Sequence, residues 1–93
     1  MKRIEKKILH NVIDEIAIEY ELTNKEKELI FELCMRGCTN YEAAKKLMIS
    51  SSTVQNRLST ILSKMDKNNV REILALVIRI LLEKLKKQRY KID

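Results

Sequence analysis

The chain has 93 residues, 45% of them hydrophobic, with one Gly, no Pro and no Trp. With so few turn-forming residues, long helices are favoured, and the runs of alternating polarity that are typical of strands are absent. We therefore predict a single all-α domain. A net charge of +6 favours a polyanionic partner. With one Gly and one His, the chain offers no phosphate loop and no catalytic set, so we expect neither an enzyme nor a cofactor.

Positive charge is concentrated late in the sequence. Residues 1–32 hold six basic and eight acidic residues (net −2), whereas residues 33–93 hold thirteen and five (net +8). Arg79 interrupts the longest apolar run, and Met1-Lys2-Arg3 is not followed by the apolar stretch of a secretory leader. We therefore expect a cytoplasmic protein whose Cys34 and Cys38 are reduced thiols. Two thiols and His10 do not make a closed metal site, so no metal is expected.

The first two predicted helices follow from apolar spacing and capping residues. Apolar residues recur every three or four positions over about residues 3–20, which predicts an amphipathic N-terminal helix. Thr23 and Glu26 form a capping-box pattern that opens a second helix, and Gly37 is placed to end it.

Three further helices are predicted in the basic part of the chain. A short one opens after Thr39 or Asn40 and runs to about Leu47, followed by a tight turn at Met48-Ile49. Any of the three serines at 50–52 can cap the fourth helix, which runs to about residue 65. A polar break at 66–69 precedes a fifth helix over about 70–87. The basic stretch 84–91 is predicted to fray into solvent.

The segment from Asn40 to Met65, a short helix, a tight turn and a longer helix, has the dimensions of a helix-turn-helix. Ala44 is small where two helices must cross closely, and Ile49 and Val54 are apolar where the turn must be pinned to the core. The outward face of the longer helix carries only amides and hydroxyls: Ser52, Gln55, Asn56, Ser59 and Ser63. Gln and Asn can each pair with an adenine edge, and the flanking cations Arg57 and Lys64 suit phosphate anchoring.

The ordered set of residues from Leu22 to about Leu82 resembles the LuxR-type (FixJ/GerE-like) DNA-binding domain, over about two thirds of the chain. The matching pieces are Leu22-Thr23 with Glu26, Gly37, Thr39-Asn40-Tyr41-Glu42-Ala43-Ala44, Leu47-Met48-Ile49-Ser50, Thr53-Val54-Gln55-Asn56-Arg57-Leu58 and Ile61-Leu62-Ser63-Lys64-Met65. The resemblance implies a four-helix DNA-binding domain, here with an extra N-terminal amphipathic helix.

The resemblance also implies roles for individual residues. Base-facing positions fall on Gln55, Asn56 and Ser59. Phosphate-contacting positions fall on Thr39, Asn40, Ser52, Thr53 and Lys64, to which the local positive charge adds Arg57 and Arg71. The sequence departs from the family pattern at five places: Gln55 replaces a common Lys or Arg, Arg57 a common His, Asp66 a Gly and Lys67 an apolar residue, and Arg71 comes one position late.

The fifth helix carries two adjacent apolar seams. One seam can close the core, but a second one is too large a patch to leave exposed on a monomer. We expect the second seam, Leu74, Ile78, Leu81 and Leu85, to be a dimer interface. A fifth helix buried beneath the first helix is the alternative, and the two arrangements can coexist.

The interpretation is a stand-alone bacterial transcription regulator that binds double-stranded DNA as a homodimer. A further partner, RNA polymerase or a regulatory protein, is left open. It divides the chain into an N-terminal helix at 1–21, a DNA-binding domain at 22–85 and a basic tail at 86–93. Two alternatives stay open: a promoter-binding module like sigma-factor region four, and a protein-interaction module, such as an anti-activator, on the same fold.

Overall fold

The computed structural model of this chain describes the backbone of residues 3–36 and 39–92, and within these ranges the side chains except those of residues 4, 36 and 88–92. The described residues form five helices and no strand, so the all-α prediction is confirmed. The helices are α1 (Arg3–Tyr20), α2 (Asn24–Arg36), α3 (Asn40–Leu47), α4 (Ser51–Met65) and α5 (Val70–Ile92). Gly37, the predicted end of the second helix, and Cys38 lie outside the described residues.

Local sequence signals account for where the helices begin. The predicted capping box opens α2: the Thr23 backbone N–H donates to Glu26 Oε1 (2.8 Å), and the Glu26 N–H donates to Thr23 Oγ1 (3.2 Å). These two bonds satisfy amide groups that a helix start otherwise leaves unpaired. A similar capping exchange starts α5, where Asn69 Oδ1 accepts from the Glu72 N–H (3.1 Å) and Glu72 Oε1 accepts from the Asn68 N–H.

The C-terminal helix is longer than the sequence predicts. The sequence predicts that α5 ends at about Lys87 and that residues 84–91 fray into solvent, but the backbone is helical to Ile92. The physical reason is that Lys, Arg and Gln are good helix formers and no Gly or Pro follows to stop the helix.

The core lies where α1, α2, α4 and α5 meet. α1 packs against α2 and α5, α2 packs against α3 and α4, α3 packs against α4, and α4 packs against α5. Every helix contributes fully buried apolar side chains: Val12, Ile13 and Ile16 from α1, Leu29 and Ile30 from α2, Ala43 from α3, Val54 and Ile61 from α4, and Ile73 from α5. The N-terminal helix is therefore part of the same core as the segment that resembles a helix-turn-helix.

Candidate nucleic-acid interface

The turn between α3 and α4 is tight because one residue adopts a left-handed conformation. Met48, the C-cap of α3, has φ 60° and ψ 42°, and its side chain is 91% exposed. The following N–H, of Ile49, donates to the Ala44 carbonyl (3.0 Å), which closes the end of α3. Ala44 is buried at the helix crossing, as its small size predicts. α4 starts only three residues after Met48, so the two helices hold a fixed relative orientation.

Both helices of this unit have N-caps that the sequence indicates. Thr39 Oγ1 accepts from the Glu42 N–H (3.2 Å) at the start of α3. Of the three candidate serines before α4, Ser50 is the cap, and its Oγ accepts from the Thr53 N–H (3.1 Å). The Ser50 and Thr53 hydroxyls also share a hydrogen bond of 2.8 Å. The two helix starts are therefore preformed, with their dipoles' positive ends at the surface.

α4 presents one buried face and one polar exposed face. Val54, Ile61 and Met65 are at most 2% exposed and fix the inner face to the core. The three residues predicted to read bases, Gln55, Asn56 and Ser59, are all exposed, and so are Ser52, Thr60 and Ser63. At 3.6 residues per turn these positions share the side of α4 opposite the buried face. The sequence interpretation had not singled out Thr60, whose hydroxyl donates to the Asn56 carbonyl (3.1 Å).

Lys64 is held by contacts within the chain that the sequence interpretation missed. Its Nζ donates to Glu26 Oε1 (2.8 Å) and to the Glu21 carbonyl (3.2 Å). Glu26 is 5% exposed, so the cation on α4 neutralises a buried carboxylate that also caps α2. Burial by itself raises the pKa of the Glu26 carboxyl, but the hydrogen bonds from Lys64 and Thr23 and the charge of Lys64 outweigh burial and lower the pKa below its ordinary value.

The other predicted phosphate contacts differ in their exposure. Thr39 and Ser52 are exposed, whereas Asn40, Thr53 and Arg57 are half-buried. Arg71 is exposed in the first turn of α5, beyond the polar break that follows α4. Lys45 and Lys46, both exposed on the last turn of α3, add positive charge beside α4.

The residues predicted to form a dimer interface line one apolar groove. Leu74, Ile78, Leu81 and Leu85 of α5 face Ile8 and Leu9 of α1 and Leu33 of α2 around a space of about 440 Å³. Ile78 is 55% exposed and Leu85 43%, and the neighbouring Leu82 is 60% exposed. The other seam of α5 is buried through Ile73 and Val77. α1 packs against α5 yet leaves this second seam partly uncovered.

The remaining candidates have structural contacts. His10 stacks on Phe31 with ring centroids 4.1 Å apart and planes 7° from parallel. Burial raises the pKa of the half-buried Cys34 thiol to about 11.

Across residues 3–36 and 39–92, no three His, Cys, Asp or Glu side chains come together as metal ligands. Within the same ranges, no helix has the length and apolar character needed to cross a membrane.

Comparison with known proteins places the chain in a family. Searches of the curated proteins and of the solved structures give no match. The family model of the bacterial regulatory proteins, luxR family (GerE), matches residues 20–77. That range contains α2, α3, α4 and the first third of α5, which is the polar-faced unit described above. The chain therefore belongs to the luxR family of bacterial regulatory proteins, and this membership makes it a DNA-binding regulator of transcription.

Proposed function

We propose that this protein regulates transcription by placing α4 in the major groove of a specific DNA site, as one half of a homodimer. The observation that carries the proposal is the uncharged, exposed face of α4, which lies opposite the buried residues Val54 and Ile61. A face made only of amides and hydroxyls has hydrogen-bonding groups that can distinguish base edges. Because DNA is the ligand, the proposal places the protein with the nucleoid in the cytoplasm.

Gln55, Asn56 and Ser59 are the proposed base-reading residues. All three are exposed on α4, and none lies on the face that packs into the core. Each amide can donate to and accept from one adenine edge, which gives discrimination of about 1–3 kcal/mol per base pair. Ser59 lies one helical turn from both amides, so a short hydroxyl can extend the same contact along the groove.

The proposed phosphate contacts set the register of α4 in the groove. The capped helix starts at Thr39-Asn40 and Ser52-Thr53 present backbone N–H groups and hydroxyls, which bind phosphate oxygens well. Arg57 on α4 and Arg71 in the first turn of α5 add cations to these contacts. Lys64 already uses two donors within the chain, so its contact to a phosphate is proposed only through the third N–H.

The proposed dimer forms through the exposed seam of α5. Leu74, Ile78, Leu81 and Leu85 follow one another at three- and four-residue steps along one side of the helix, and Leu82 lies beside them. Three of these side chains are between 43% and 60% exposed, a contiguous apolar surface that a partner of the same shape can cover. A two-fold dimer would set two copies of α4 about one DNA turn apart, roughly 34 Å.

The test is selection of bound sequences from a random duplex pool, followed by gel shift on the enriched site. We expect an inverted repeat with half-site centres about ten base pairs apart. Log K should fall with log salt at a slope of roughly −5 to −7, because about six to eight phosphates are neutralised. A slope shallower than about −2, or no enriched sequence, would overturn the proposal. Binding only in the presence of RNA polymerase would favour the sigma-like alternative.

A further inference from the structure

A second basic surface lies where the start of α1 meets the C-terminal half of α5. Ile8 and Asn11 of α1 line a shallow pocket together with Lys84, Leu85 and Lys87 of α5. The turns of α1 and α5 on either side of these lining residues carry six cations with described side chains, all but the half-buried Lys84 exposed: Arg3, Lys6, Lys7, Lys84, Lys86 and Lys87. We call these six residues the distal basic cluster. The same turns also carry the acidic residues Glu5 and Glu83, so positive charge is in excess.

The distal basic cluster is remote from the reading face of α4. The Glu21 carbonyl, just beyond α1, accepts a hydrogen bond from Lys64 of α4, so the C-terminal end of α1 adjoins α4 and its first turn lies about 25 Å away along the helix axis. α5 likewise starts five residues after α4 ends, and Lys84–Lys87 lie roughly 21–26 Å along it. The molecule is 48 Å long, which accommodates this separation.

An acidic band on α1 separates the two basic surfaces. Asp14, Glu15, Glu19 and Glu21 are exposed on the second half of α1 or just after it. Glu15 pairs with Lys84 (2.8 Å) and Asp14 pairs with Lys27 (3.1 Å), which limits how far positive charge extends from either side. A single DNA backbone running from α4 to the distal basic cluster would have to pass this band, and like charges disfavour that path.

We propose that the distal basic cluster binds a second segment of duplex DNA while α4 occupies its own site. This inference rests on the proposed function, which brings α4 to DNA and so raises the local concentration of further duplex. The cluster presents ammonium and guanidinium groups and no row of amides, so the contact is to phosphates and does not depend on sequence. The protein would thereby hold two DNA segments together.

The test is capture of a free duplex by a tethered one. A bead carries the preferred site as a duplex of about two helical turns, roughly 20 base pairs, and a labelled duplex of unrelated sequence is in solution. Wild-type protein should retain the labelled duplex on the bead. The variant Lys7→Gln/Lys87→Gln removes two charges of the cluster, and we expect retention to fall about tenfold. A matched control, Ile18→Glu/Arg79→Gln, lowers the net charge by the same amount at exposed positions outside the cluster. This control should retain the labelled duplex as wild type does.

The outcomes separate this inference from the proposed function and from other partners. If wild type does not bind the tethered site, the proposed function fails. If the tethered site is bound and the cluster variant captures as much labelled duplex as wild type, the two copies of α4 in a dimer bridge the duplexes and the inference is wrong. If the protein binds a longer site duplex more tightly but captures no labelled duplex, the cluster contacts the DNA that flanks the site. If the protein sediments with phosphatidylserine vesicles but captures no labelled duplex, the cluster binds a membrane surface. Either result overturns the inference.

Discussion

Lys64 of α4 and Glu26 of α2 form an ion pair of 2.8 Å in which the carboxylate is buried and the ammonium is one-third exposed. The same carboxylate caps the start of α2, and the same ammonium reaches the Glu21 carbonyl. One cation thus connects the helix that we propose reads DNA with the turn between α1 and α2. Its position fixes α4 relative to the rest of the core.

Removing the cation should therefore destabilise the fold. Lys64→Ala leaves Glu26 buried without its charged partner, which we expect to lower the free energy of unfolding by about 1–3 kcal/mol. Urea denaturation measures this change, and Lys45→Ala, at an exposed position on α3, is the control with an expected change within about 0.5 kcal/mol. Equal stability of the two variants would contradict the role assigned to the Lys64–Glu26 pair.

The same pair should give the protein a specific pH dependence. The folded state lowers the Glu26 pKa from its ordinary value of 4.5, so ionised Glu26 contributes stability above that pH and loses the contribution as pH falls through the folded-state pKa. Glu26→Gln should therefore be less stable than wild type at pH 7, with the difference shrinking below about pH 4.5. Thermal unfolding of both proteins from pH 3 to 7 checks this, and a difference independent of pH would contradict it.

The amides of α4 should determine which DNA sequence is bound, and the cations should bind the phosphates of any duplex. Gln55→Ala and Asn56→Ala are each expected to weaken binding to the selected site by about 1–3 kcal/mol and binding to random duplex far less. Arg57→Ala should weaken both and reduce the salt slope by about one. Fluorescence anisotropy on the two duplexes measures these effects. Equal losses on both duplexes for Gln55→Ala would remove it from the base-reading set.

Backbone strain at the turn before α4 predicts a stabilising substitution. Met48 is left-handed at φ 60°, a conformation that costs a residue with a Cβ about 1–2 kcal/mol. Because Met48 is 91% exposed, Met48→Gly removes this strain with little loss of packing and should stabilise the fold by about 0.5–1 kcal/mol. Met48→Ala keeps the Cβ and serves as the control, with no gain expected in urea denaturation.

The dimer should depend on the exposed seam of α5. Ile78→Glu puts a charge at a position that is 55% exposed, so the monomer should fold while association is lost. Ile18→Glu, at an 81% exposed position of α1 outside the seam, is the matched control and should stay dimeric. Sedimentation equilibrium at micromolar concentration distinguishes the two. A wild-type protein that sediments as an 11.0 kDa monomer would contradict the dimer.

Local signals predicted most of the fold. The Thr23–Glu26 capping box, the turn at Met48-Ile49 and the start of α4 each depend on residues within a few positions of one another, so a sequence shows them directly. Lys64 was different, because its partner Glu26 lies 38 positions earlier and packing alone brings them together. Its cationic character pointed to phosphate, and nothing local indicated a buried carboxylate within reach.

At Asp66 the backbone keeps the left-handed conformation that Gly usually adopts, although the residue is not Gly. Asp66 follows α4 in the left-handed conformation, with φ 54° and ψ 47°, at the position where the resemblance to the family implies Gly. Its N–H still closes the helix on the Ser63 carbonyl (3.3 Å), and the next N–H, of Lys67, reaches the Leu62 carbonyl (2.9 Å). Asp tolerates this conformation better than most residues. The base preference of Gln55 and Asn56, by contrast, depends on DNA and is a matter for the selection experiment.

Because α1 is buried, the part of the chain that folds together is longer than the part that matches the family model. The family match begins at residue 20, yet Val12, Ile13 and Ile16, all before it, are at most 1% exposed. A segment starting at residue 20 would leave the faces of α2 and α5 that receive these side chains open to water. Exchange of residues 20–77 between relatives would therefore succeed only where the incoming α2 and α5 carry apolar faces shaped for this particular N-terminal helix.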